Sequence, residues 1–320
     1  MERFDEVATL EVGGVRVYTF GVFVMLGMAA AAAMIGFLCW AKKTRRGTAA
    51  TLTAASIVLG AVFSRVFFCL LSFEETGGIM PIARWFQITG GGWSMMGLVT
   101  GVLIAAAVTA KITRQKTAMV LDIAACALPV FMAVERIGEG WVPDFDYSRK
   151  LTTGFLNNTF LTFSDYDGFY LATWKLAAIV MLILIPVMVI SMIVSTGDGE
   201  TCVLFLLLFG SCSVILESLR YDHFMTVHTF VGLQHILAAV FLAIGVIYLA
   251  VKAPRRLRPL GTAAVISLFA AAGIALALEF ALDRTTFNKL LIYAAYILVM
   301  AVPTTLAIAL RAKERKPARG

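Results

Sequence analysis

The chain has 320 residues, 60% of them hydrophobic and 15% charged, with a mean hydropathy of +0.88. Soluble domains hold about 45–50% apolar residues, so this composition excludes an ordinary soluble protein. The net charge of +7 is divided among short loops between apolar runs rather than gathered in one patch, which argues against nucleic acid as a partner.

Residues 1–17 are mixed and polar, with no basic start and small-residue cleavage site, so no cleavable signal peptide is expected. Nine apolar stretches follow, near 18–41, 50–72, 91–110, 117–135, 169–195, 201–220, 229–251, 260–282 and 289–311. Crossing a bilayer takes about 20 residues, so these lengths predict an all-α polytopic membrane protein. Basic residues follow span one (Lys42, Lys43, Arg45, Arg46), span three (Lys111, Arg114, Lys116) and span seven (Lys252, Arg255, Arg256, Arg258). They recur in the tail (Arg311, Lys313, Arg315, Lys316, Arg319). If the spans alternate, these groups share one face, and the positive-inside rule makes that face cytoplasmic. The N-terminus is then outside and the C-terminus inside. The basic tail reads as a topology anchor that touches anionic membrane lipid.

In chain order, the first polar anomaly is Arg65, inside the apolar stretch 54–73. A cation at membrane depth costs about 2.5–3.5 kcal/mol on the lowest scale. Such a charge is kept where it lines a wet cavity or meets an anion, and a lipid phosphate is the commonest anion there. Residues 73–90, with Pro81, Arg84 and Trp85, predict an interfacial helix. The run Thr89-Gly90-Gly91-Gly92-Trp93-Ser94-Met95-Met96-Gly97 then opens span three. Two readings stand for it: close packing through small residues, or amides at a helix N-terminus facing an anionic head group.

Span four carries Asp122 and is followed by Arg136, a second cation that suits a phosphate; mere bundle glue is the other reading. Residues 137–168 form a long polar segment with Asp144, Asp146, Asp165, Asp167 and seven aromatics, which predicts a folded cap at the outer surface. Lys175 in span five offers a structural bridge to Asp122. Glu217 and Arg220 end span six three residues apart, on one helix face, as an ion pair or as site residues. The turn 221–228 holds His223 and His228, each either polar surface or a base matched to neutral pH. His235 in span seven reads as a hydrogen-bonding group within the bundle. Spans eight and nine, with Glu279 and Pro303, follow the break 252–258 as an appended hairpin. The five cysteines all fall in spans and read as small packing residues. No Cys/His cluster has ligand spacing, so no metal or other cofactor is expected.

From about residue 10 to 251, order and spacing resemble the prolipoprotein diacylglyceryl transferases of bacterial inner membranes. Val17-Tyr18-Thr19-Phe20-Gly21 is similar to the aromatic-Tyr-Gly opening of the family's first span. Gly60-Ala61-Val62-Phe63-Ser64-Arg65 resembles its Gly-rich segment ending in Arg. Gly91-Gly92-Trp93-Ser94-Met95-Met96-Gly97 is similar to Gly-Gly-Met-Ser-Phe-His-Gly. Glu135-Arg136-Ile137-Gly138-Glu139 stands where the family reads Gly-Arg-Ile-Gly-Asn, and Glu217-Ser218-Leu219-Arg220 resembles Glu-Phe-Phe-Arg. Gln234 falls where Gly-Gln-Ile-Leu begins the last span. The chain departs from the pattern at Met96 (a histidine in the family), Glu139 (asparagine), Ser213 (arginine) and Phe20 (tyrosine). Its 169–175 segment lacks the family's His-Pro-x-Gln.

The resemblance implies a seven-helix transferase bundle over 1–251, capped by 137–168. Residues 252–320 add a basic linker, two further spans and the tail. It also implies transfer of a diacylglyceryl group from phosphatidylglycerol to the lipobox cysteine of a preprolipoprotein, recognised through its signal peptide, in the inner membrane. Arg136 and Arg65 would then hold the phosphate, with Gln234, Gly91 and Gly92 on the lipid side. Arg220 would be a third donor or would orient Glu217. Glu139, if burial makes it basic enough, or His223 would take the thiol proton. The alternative is a diverged, non-catalytic membrane protein that binds lipid or a signal peptide, and a solute transporter or a simple anchor fits less well.

Overall fold

The computed structural model describes residues 9–12, 15–71, 80–86, 92–141, 159–165, 168–195, 197–220, 226–227, 231–285 and 287–315. In lipid every backbone amide and carbonyl must be satisfied within the segment, which leaves helices as the spanning form for apolar runs of this length. Nine helices among the described residues are long and apolar enough to cross a membrane. They are α1 (Thr19–Ala41), α2 (Thr48–Leu71), α3 (Met95–Ile112), α4 (Thr117–Glu139), α5 (Thr173–Val194), α6 (Glu200–Leu219), α7 (Leu233–Lys252), α8 (Arg258–Arg284) and α9 (Lys289–Arg315). The all-α polytopic expectation is met. Among the described residues three short antiparallel strand pairs flank the helices: β1 (Thr9–Val12) with β2 (Val15–Tyr18) before α1, β3 (Thr162–Asp165) with β4 (Gly168–Leu171) before α5, and β5 (Thr226–Val227) with β6 (Val231–Gly232) before α7.

The helices sort into two compact units. The first comprises residues 1–69, 85–202 and 219–222. Its centre is α4, which packs against α1, α3 and α5 and buries nearly every side chain from Val120 to Met132. Small residues set the approach. A Cβ on Gly27 would lie 3.0 Å from the Phe131 carbonyl, and one on Gly97 would lie 2.8 Å from Phe67 and 2.9 Å from the Ser64 backbone. Gly60 and Gly101 meet across the same α2–α3 seam. Two reciprocal hydrogen bonds close its end: Ser64 Oγ donates to the Ser94 carbonyl (2.8 Å) and the Ser94 amide to the Ser64 carbonyl (3.2 Å). Small-residue packing of this kind is routine where lipid offers no hydrophobic drive between helices.

The ends of α1 and α3 show how the basic loops are built. After α1, the Thr44 amide reaches the Cys39 carbonyl and the Lys43 amide the Trp40 carbonyl; after α3, Gln115 reaches Ala110 and Arg114 reaches Lys111. Each is a Schellman-type cap with its left-handed residue at the position glycine usually fills. Here that residue is Lys43 or Arg114, both at φ 51°. The cation sits at the negative end of the helix dipole, which partly offsets the backbone strain. At this same end Lys42 Nζ donates to the Met192 carbonyl of α5 (3.1 Å) and Lys116 pairs with Asp198 (3.0 Å).

The second unit comprises residues 70–84, 203–218 and 223–320. Here α7, α8 and α9 pack on one another. Gly210 of α6 sits against Ala238 and Leu242 of α7, and Gly245 of α7 against Leu207. Phe205 and Phe209 stack at 5.0 Å within α6. Prolines lie inside α4, α5 and α9 (Pro129, Pro186, Pro303) without ending them.

Several expectations change. Span four runs to Glu139 rather than 135, because Arg136 and Glu139 pair one turn apart and carry the helix on. Span five begins at Thr173 rather than 169, because residues 168–171 pair with 162–165, where Phe163 and Tyr170 stack across the strands at 5.7 Å. The interfacial helix expected over 73–90 is, among the described residues, one turn at Ile82–Trp85 with Ile82 and Phe86 exposed. The expected cap lies partly outside the described residues. The bridge from Asp122 to Lys175 does not form. Asp122 instead accepts from the amides of Gly199 (2.6 Å) and Cys202 (2.7 Å), capping α6 from a neighbouring helix. Lys175 Nζ donates to the Phe160 carbonyl (2.9 Å) and lies over the Phe160 and Trp174 rings. The two residues occupy opposite ends of antiparallel helices, Asp122 near the start of α4 and Lys175 near the start of α5.

Candidate functional site

The last turn of α4 gathers charge where the core should be apolar. Glu135 and Glu139 stand four residues apart, hence on one face, with side chains 11% and 3% exposed; Arg136 between them is 12% exposed. Two carboxylates at this spacing repel. The guanidinium resolves this: Arg136 Nη1 donates to Glu139 Oε1, and its Nε lies 3.6 Å from Glu135 Oε2. Arg220, just past α6, is within electrostatic reach of both Glu135 and Arg136. Two cations and two carboxylates thus share one low-dielectric neighbourhood.

Aromatic rings wall this turn. Phe23 and Phe20 lie against Gly138, Trp174 against Gly140, and Trp141 stacks on Phe23 at 4.9 Å. A Cβ on Gly140 would come 2.8 Å from the Trp174 ring. Glycine at 138 and 140 lets those rings lie directly against the backbone of the turn that carries the charges. Withdrawn from water, each electrostatic contact inside is stronger, and leaving any member unpaired is costly.

Arg65 has a different set of partners. Its Nε donates to the Trp85 carbonyl (3.1 Å) and its Nη1 to the Gly92 carbonyl (2.8 Å), and the group lies over Phe68 and Trp93 at 5.4 and 6.0 Å. Gly92 has φ +82°, and a Cβ there would fall 2.8 Å from Arg65 Nη1. This glycine is needed for the close approach of Arg65 and Phe68. Here Arg65 fastens the segment that leads into α3.

The remaining candidates fall as follows. Glu217 is half-buried in the last turn of α6. Gln234 is half-buried as the second residue of α7. His223 and Gly91 lie outside the described residues, as does His228. Met96 and Ser213, where the resembling family has histidine and arginine, are both buried, 1% and 4% exposed. Neither side chain can carry a charge there. Sequence reasoning gave Glu135 no role, although it is a full member of the cluster. The available signal was an acid on each side of Arg136, spaced to fall on one helical face.

All four charged positions, 135, 136, 139 and 220, lie inside the 7–251 stretch matched by the family profile described as "Prolipoprotein diacylglyceryl transferase". The chain belongs to the prolipoprotein diacylglyceryl transferase family. A similar protein from Shouchella clausii (strain KSM-K16), named phosphatidylglycerol–prolipoprotein diacylglyceryl transferase, is 24% identical over 280 residues, covering 81% of this chain and 96% of its own length. Family membership makes the protein a transferase of the lipoprotein-maturation class. With nine apolar helices among the described residues, it is a multi-pass bacterial membrane protein. Helices α8 and α9 lie beyond the stretch that the diacylglyceryl transferase profile matches.

Proposed function

We propose that the protein transfers the diacylglyceryl group of phosphatidylglycerol to the lipobox cysteine of a preprolipoprotein. The sulfur attacks the glyceryl carbon that bears the phosphate, so a C–S bond forms and a C–O bond breaks. The electron pair leaves with glycerol phosphate, and the thiol proton passes to a base. Negative charge accumulates on the departing phosphate, and fixed cations in a dry site oppose it most effectively. The observation that carries this reading is the buried cluster of Arg136, Glu135 and Glu139 with Arg220 in reach, inside the family match.

A guanidinium has five N–H donors in a rigid fork. Glu139 and Glu135 engage two edges of Arg136 and orient it, leaving donors for a phosphate oxygen. Arg220 is the second cation, and Arg65 acts from α2, where it holds the segment that leads into α3. Glu139 is the base we favour in place of the family histidine, with His223 as the other candidate, because the thiolate is the attacking form. Gln234, Gly91 and Gly92 serve the lipid side. Residues 1–251 form the transferase portion and 252–320 an added one. The N-terminus faces outward and the basic loops inward, as their charge favours.

The test uses the full chain, phosphatidylglycerol vesicles and a synthetic lipobox peptide, with mass analysis of the peptide. A gain equal to one diacylglyceryl group, with release of glycerol phosphate, is the expected result. Lipid binding without any mass gain would instead select a non-catalytic lipid binder, to which the uncharged Met96 and Ser213 positions point. Neither binding nor transfer would overturn both.

A further inference from the structure

Helix α9, which the family profile does not reach, places two tyrosines three residues apart on one face. Tyr293 Oη donates to the Ser218 carbonyl at 3.1 Å. Ser218 is the penultimate residue of α6, so its carbonyl is one that no amide of its own helix can satisfy. Tyr293 is therefore a cap supplied from another helix. Three residues on, Tyr296 is 1% exposed, and its Oη lies 3.2 Å from His235 Nε2 of α7. Glu279 of α8 completes the set: its Oε1 is 3.6 Å from the same His235 nitrogen, and its side chain bonds the Tyr296 hydroxyl. His235, Glu279 and Tyr296 are all buried. Polar groups at membrane depth are costly and persist where they do something specific.

Each tyrosine thus grips a helix end that leads directly to a residue of the proposed site. Ser218 lies between Glu217 and Arg220, and His235 is the immediate neighbour of Gln234. Ser211 Oγ adds a third tie from α6, to the Met300 carbonyl of α9 at 3.4 Å. We propose that the α8–α9 hairpin is a built-in positioning element, in which Tyr293 holds the end of α6 that leads to Arg220 and Tyr296 holds His235 beside Gln234. Tyr293, Tyr296 and Glu279 are positioning residues; none is assigned contact with substrate. The proposal rests on the transferase reading for its effect on rate, though not for the grip itself.

The experiment uses the full chain with Tyr293→Phe, Tyr296→Phe and the two combined, since phenylalanine keeps the ring and removes only the hydroxyl. Two quantities are read: transfer kinetics with phosphatidylglycerol and lipobox peptide, and amide hydrogen exchange at 216–220 and 232–236. The expected result is a fall in kcat of about tenfold for each variant, the scale of one lost hydrogen bond acting on a barrier. KM for the lipid should stay within about twofold, and exchange should quicken at the corresponding helix end. His235→Gln, which keeps a group able to bond Tyr296, should retain more activity than His235→Leu. Unchanged exchange in the double variant would overturn the proposal whatever the activity. So would a loss of rate that merely follows a smaller folded fraction at constant kcat. If the unsubstituted protein transfers nothing, the transferase reading fails, and the exchange measurement alone decides whether the hairpin holds the two ends.

Discussion

Replacing Arg136 by glutamine separates charge balance from chemistry. In the native protein its guanidinium sits between two carboxylates that are 11% and 3% exposed. Arg136→Gln leaves both acids in place with their shared cation gone, and breaking a buried pair from one side costs about 3–5 kcal/mol. The double substitution Arg136→Gln, Glu139→Gln removes one of the stranded charges, so it should recover about 0.5–3 kcal/mol, the range of coupling for residues in direct contact. Arg220 stays within electrostatic reach of Glu135. Unfolding in mixed micelles, followed by circular dichroism, measures both. Transfer rate should behave differently: if Arg136 stabilises the departing phosphate, both variants lose about 100-fold or more, whatever their stability. A double variant that regains transfer together with stability would refute a direct role for Arg136. One no more stable than the single variant would refute the charge-balance account of the cluster.

Asp122→Ala should destabilise the protein by about 2–4 kcal/mol, because the buried amide of Cys202 and the part-buried amide of Gly199 lose their acceptor; Asp122→Asn, which keeps one acceptor, should lose less in the same melt. Gly101→Leu should lower the melting temperature sharply, since even a Cβ there overlaps the Leu59 carbonyl and no flexible neighbour can yield; a wild-type melt would disprove the tight α2–α3 seam. Arg114→Gly should raise stability by up to about 1 kcal/mol by relieving a left-handed backbone at φ 51°, and Arg114→Ala, which keeps the strain, should show no gain.

Much of the fold was legible because spans are coded by composition. Runs such as 173–194 carry no charge beyond Lys175, and a bilayer leaves such a run one option. Boundaries were less legible, and each error had a cause. The helix through Arg136 and Glu139 runs on because a side-chain pair outweighs the nearby glycines. The start of α5 moved because a four-residue strand found a partner across a turn. Of the candidate site, Arg136 and Glu139 proved to be neighbours, as their spacing allowed. The partners of Arg65 were not legible, since they are backbone carbonyls at Trp85 and Gly92, which leave no mark in side-chain pattern. Asp122 and Lys175 looked complementary by charge, but charge alone does not say which end of a helix meets which.

The sequence by itself determined that this chain lives in a membrane, how many apolar runs it has, and which cations sit among apolar residues, because those are properties of residue type and order. It also carried the family's spaced motifs through to residue 251. Only the tertiary structure decided that Glu135 belongs with Arg136, that Asp122 caps α6, and that two tyrosines of α9 grip the ends of α6 and α7. Those facts depend on distances between residues far apart in the chain, which packing sets and no local pattern records.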